Sequence, residues 1–113
     1  MSESILDSIK KLLGIESDYT VFDTDIIIHI NSTFMILTQL GVGPSNFKIT
    51  DSSKTWADFI PAGVNFESVK TYVYQRVRLN FDPPTSSAAV EQLNRSISEL
   101  EWRLLVEAET PTT

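Results

Sequence analysis

The chain has 113 residues, 42 % of them apolar and 21 % charged, which fits one domain with a single, thin core and argues against disorder of the whole chain. Nine basic residues stand against fifteen acidic ones, a formal charge of −6, and the longest basic run is Lys10-Lys11. This argues against tight binding of duplex DNA or of an anionic membrane, because both depend on clustered Lys and Arg, and the absence of cysteine rules out disulfides and thiolate metal sites.

The first helix is expected over residues 3–13. Ile5, Leu6, Ile9, Leu12 and Leu13 form one apolar stripe, Ser2 or Ser4 can cap its start, and Gly14 stops it. Asp7, Lys10 and Lys11 interrupt the apolar residues here, so the segment does not read as a signal peptide. No apolar run approaches the length that spans a bilayer.

The second helix is expected over residues 24–40, with Asp23 and Thr24 supplying the cap and Gly41 the stop. Ile26, Ile27, Ile30, Phe34 and Leu37 fill one arc, while Ile28 and Met35 stack on another side. From 41 to 62 the helical periodicity fails. Gly43-Pro44 and Asp51-Ser52-Ser53 are turn chemistry, Phe47 to Thr50 alternates like a short strand, and Thr55 to Ile60 suits a single helical turn closed by Pro61. A loop this long in so small a domain is commonly functional. Its Phe47, Ile49, Trp56 and Phe59 suggest a docking segment, mobile in the free chain and ordered against a partner.

The third helix is expected over 66–81, capped by Asn65, with Phe66, Val69, Val73, Val77 and Phe81 as its stripe and Asp82-Pro83-Pro84 ending it. The fourth is expected over 87–107, with Thr85 or Ser86 as its cap. Val90, Leu93, Ile97, Leu100 and Leu104 form its buried stripe, and Glu91/Arg95 and Glu99/Arg103 are favourable i, i+4 pairs. The fold class is therefore mainly α: a four-helix domain over residues 1–108, with a long, partly extended loop between helices 2 and 3 and a frayed tail over 109–113.

No catalytic constellation emerges. His29 is the single histidine; it can pair with Asp25 one turn earlier, but no nucleophile or second ligand stands at a defined spacing. Asp23 and Asp25 read as helix-start acids rather than a metal fragment, and Gly41-Val42-Gly43 lacks the rest of a phosphate loop. No enzyme activity, cofactor or metal is expected. What stands out is apolar surface off the stripes. Ile28, Met35, Tyr72, Leu79, Trp102 and Leu105 all point away from their helix's main arc, and Trp102 lies among Glu91, Arg95 and Ser98, where Arg95 can stack on its ring. These six form the expected interface.

Several motifs occur in a telling order: Ile5-Leu6-Asp7-Ser8-Ile9-Lys10-Lys11-Leu12-Leu13-Gly14-Ile15, Phe22-Asp23-Thr24-Asp25, Ile30-Asn31-Ser32, Gln39-Leu40-Gly41-Val42-Gly43-Pro44, Thr55-Trp56-Ala57-Asp58-Phe59, Val69-Lys70-Thr71-Tyr72-Val73-Tyr74, Phe81-Asp82-Pro83-Pro84-Thr85-Ser86 and Glu99-Leu100-Glu101-Trp102-Arg103-Leu104. By their order and spacing, which cover almost the whole chain, the sequence resembles the small head-to-tail connector (adaptor, head-completion) proteins of tailed bacteriophages and prophages. The resemblance implies a homo-oligomeric ring, usually twelve-fold, under the portal protein and in contact with other neck or tail-completion proteins. It also implies a place in the virion neck, with assembly in the host cytoplasm and no membrane. DNA would pass through the ring without specific binding, and an acidic wall suits sliding. The alternative from another class is a small acidic helical regulatory or scaffolding module that binds one partner protein.

Overall fold

The computed structural model describes residues 3–59 and 66–109. Among them are five helices: α1 (Ile5–Leu12), α2 (Asp23–Gln39), α3 (Trp56–Phe59), α4 (Phe66–Phe81) and α5 (Ser87–Glu109). The four long ones match the four periodic segments to within two residues at each end. The fifth is the single turn expected at Thr55–Ile60. No strand forms among the described residues; the alternation at 47–50 yields extended backbone without a ladder, and one isolated antiparallel bridge joins Ser4 to Thr55.

Helix α4 sits at the centre. It packs against α2 and α5, and α1 closes over α2 and α4. The core follows the stripes: Ile5, Leu6 and Ile9 from α1; Ile26, Ile30, Phe34 and Leu37 from α2; Val69, Val73 and Val77 from α4; Ile97 and Leu104 from α5. Leu12, which continues the α1 stripe on paper, is exposed, although Ile9 and Lys10 in the same last turn are buried.

Capping follows the sequence at two helices and departs from it at one. Ser4 Oγ accepts the Asp7 N–H at 3.3 Å, and Ser86 Oγ accepts the Ala89 N–H at 3.1 Å. At α2 the cap position is Phe22, with no side-chain cap bond. Asp23 is instead drawn to Lys10. That ammonium is only 1 % exposed; it donates to the carbonyls of Ser17 (3.0 Å) and Tyr19 (2.8 Å) and lies 2.8 Å from Asp23 Oδ1. The Asp23 contact is ionic, since this buried oxygen accepts no hydrogen bond of standard geometry. A buried ammonium needs partners for its donors and its charge; the two carbonyls accept its hydrogen bonds and the Asp23 carboxylate supplies the countercharge. The expected Asn65 cap, the Pro61 stop and the tail beyond Glu109 lie outside the described residues.

The segment 41–59 is folded onto the core. Asn31 of α2 grips its backbone: the amide nitrogen donates to the Ile49 carbonyl (2.9 Å), and Oδ1 accepts the Ile49 N–H (2.8 Å). One side chain thereby does for Ile49 what a neighbouring strand would do. Phe34 stacks on Phe59 with centroids 4.4 Å apart and meets Phe47 edge-on at 5.3 Å. Trp56 Nε1 donates to the buried Ser8 Oγ (2.8 Å), which itself donates to the Ile5 carbonyl (3.0 Å). Backbone bonds from Ile5 N–H to Lys54 O and from Trp56 N–H to Glu3 O fasten the loop to the start of α1.

Candidate assembly surfaces

The ten residues singled out in the sequence separate sharply. Ile49, Trp56 and Phe59 are buried and Phe47 is half-buried, so the expectation of a loop held in reserve for a partner is corrected: its aromatic side chains already complete the core of one chain. Tyr72 is corrected too. It is 0 % exposed, because α4 is covered on two sides, by α2 and by α5, and has little off-stripe surface left. Leu79 is half-buried against the core for the same reason. Four positions remain exposed as expected: Ile28 at 54 %, Met35 at 63 %, Trp102 at 66 %, and Leu105.

These four lie on two surfaces. Ile28 and Met35, two turns apart on α2, line an open groove of about 710 Å³ with Asn31, Thr38, Phe47 and Lys48. The groove exists because Asn31 holds the 45–49 backbone alongside α2. Trp102 stands on the outer face of α5 with Leu105 and Val106 near it, and borders a shallow hollow of about 340 Å³ with Ser68 and Glu107. Arg95 pairs with Glu91 at 3.4 Å as expected, but no contact between its guanidinium and the Trp102 ring occurs among the described residues. The indole is left bare to solvent.

Sequence reasoning missed two features. Tyr19, Val21 and Phe22, just before α2, are exposed, as is Leu12 at the end of α1; Phe22 meets Tyr19 and, edge-on at 5.4 Å, Phe81. The available signal was an apolar Tyr19–Phe22 run lying outside any helix. The second is a polar tie between α4 and α5. Tyr72 Oη donates to Glu101 Oε2 at 2.6 Å, Arg76 Nε donates to Tyr72 Oη at 3.0 Å, and Arg76 also pairs directly with Glu101. Burial, then the Glu101 bond, pushes the Tyr72 phenol well above its ordinary value. Burial works to raise the Glu101 carboxyl, but the hydrogen bonds from Tyr72 and Arg76 and the Arg76 charge outweigh it and hold Glu101 below the usual range. This network is structural: it satisfies the one polar atom that a buried tyrosine carries.

Among the described residues the His29 and Asp25 side chains are not paired with each other; the His29 carbonyl accepts the Thr33 hydroxyl at 2.9 Å. No group of three His, Asp or Glu side chains there could hold a metal, and no helix there is long and apolar enough to cross a membrane.

The described residues form a small helical body with exposed apolar surface. A family model described as phage connector protein matches residues 5–111. No curated protein and no solved structure matches the chain. The matched stretch runs from the first residue of α1 past the last of α5, and the chain therefore belongs to the phage connector protein family, a structural family rather than an enzyme family, which links the head and tail proteins of the virion at its neck.

Proposed function

We propose that the chain is a head-to-tail connector subunit that assembles as a closed ring beneath the portal protein and leaves a passage through which DNA is packaged and ejected. Family membership supports the connector role. The observation that carries the assembly reading is Trp102, an indole left 66 % exposed on a helix that commits Ile97 and Leu104 to the core. Leaving so large an apolar surface in water is unfavourable, and aromatic anchors of this kind commonly dominate protein–protein contacts. Leu105, Ile28 and Met35 extend the interface, whereas Tyr72 and the loop aromatics serve the fold. The acidic balance fits a wall that does not grip phosphate.

The test is Trp102→Ala, with melting temperature and association measured side by side. At an interface the truncation is expected to cost roughly 2 kcal/mol or more of association while the melt stays nearly unchanged. A core position would instead lose about 3–5 kcal/mol of monomer stability. Intact ring and portal association in this variant would remove Trp102 from the interface.

A further inference from the structure

The two bare surfaces differ in shape and in charge. The α2 surface is concave: Ile28 and Met35 form its apolar floor, Phe47 one wall, and Lys48 is the one charged side chain among its lining residues. On the α5 surface Trp102, 66 % exposed, projects from the helix beside a shallow hollow that Arg103 and Glu107 also line. On that helix Glu91 and Glu99 are neutralised by Arg95 and Arg103. Glu107 has no such partner among the described residues, and neither does Lys48. Each surface thus combines an apolar centre with one uncompensated charge, and the two charges are of opposite sign. A groove cannot fill a groove, and two copies of the ridge would bring Glu107 against Glu107. A groove taking a ridge solves both problems.

We propose that the α5 ridge of one copy seats in the α2 groove of the next, with Trp102 entering between Ile28 and Met35 and Glu107 facing Lys48. The occupant is a second copy of this chain. Such a contact is heterologous: each copy offers both halves, so it repeats head to tail and closes into a ring when the rotation allows. A buried tryptophan removes about 150–250 Å² of surface from water, and the groove, at about 710 Å³, is open enough to receive a side chain. The inference rests on the ring reading above and adds which two surfaces of the chain meet.

Two variants decide it by mixing. Met35→Asp spoils the groove and keeps the ridge; Trp102→Asp spoils the ridge and keeps the groove. Both positions are exposed, and each variant is first checked for an unchanged melt. Sedimentation is then measured up to about 1 mM, the range of a weak contact. The unaltered chain is expected to associate and each variant alone to stay monomeric. Their equimolar mixture is expected to stop at a one-to-one dimer, because only one intact groove and one intact ridge are present per pair. Separately, Lys48→Glu and Glu107→Lys are each expected to weaken self-association roughly tenfold, and the double variant to restore it. Two losses without recovery in the mixture, unimpaired single variants, or an unaltered chain that stays monomeric would each overturn the groove-and-ridge contact. Binding of the unaltered chain to portal rings is scored in parallel. A chain that binds the portal without this self-contact loses only the present inference, and one that does neither loses the connector reading as well.

Discussion

Lys10 shows how much one side chain organises here. An ammonium taken out of water is costly unless every donor finds a partner. Lys10 meets that demand by drawing the Ser17 and Tyr19 carbonyls and the Asp23 carboxylate around itself, which sets the path of the chain from α1 into α2. Lys10→Ala would strand a half-buried carboxylate and two carbonyls. It is expected to destabilise the fold by about 3 kcal/mol in urea denaturation, the range seen when one partner of a buried pair is removed. From sequence, Lys10 reads only as a favourable charge at a helix C-terminus. Its burial depends on a turn that folds back over it, and no periodicity within α1 reports that.

At the scale of elements, the helices were legible because each carries its burial pattern in its own residues. Val69, Val73 and Val77 announce the inner face of α4, and Ile97 and Leu104 that of α5. Tyr72 and the 41–59 segment were not legible in the same way, because their burial is decided by other elements: α4 is covered on two sides, and the loop is received by Phe34 and Asn31. Gly43 makes the loop's dependence on close packing measurable. Its φ is +78°, and a Cβ there would lie 2.5 Å from the Phe59 ring. Gly43→Ala is expected to cost about 2 kcal/mol through overpacking and backbone strain together. Gly14→Ala has the same backbone penalty with nothing within 4 Å, so it is expected to cost about 1 kcal/mol; equal melts for the two would contradict the Phe59 contact. The α4–α5 tie has a pH signature. Glu101 is held below its ordinary value of 4.5, so its contribution is complete above that pH and is lost as the pH falls through the lower folded-state value. Asp51 and Asp58 are also held low, by hydrogen bonds from Ser53 and Thr55. The comparison that isolates Glu101 is therefore the melt of the unaltered chain against Glu101→Gln, with the two curves expected to converge as the solution is acidified below pH 4.5.

For the whole molecule, function and fold divide the apolar residues between them. The core takes up the loop aromatics; among the described residues, the large apolar side chains left exposed lie on α2, on α5 and between Leu12 and Phe22. The order in which the chain is made adds a further consequence. The first two helices emerge early during synthesis, yet α1 is fastened to Lys54 and Trp56, and α2 packs chiefly on α4. A nascent chain ending at Phe59 has Ile26, Ile30 and Val42 in place but lacks Val69, Val73 and Val77, which would shelter them. Domains generally fold as units, so such a fragment is expected to be cut rapidly by protease, while a chain extending through α5 resists. A fragment that lacks α5 therefore lacks both the cover that this helix gives α4 and the exposed Trp102.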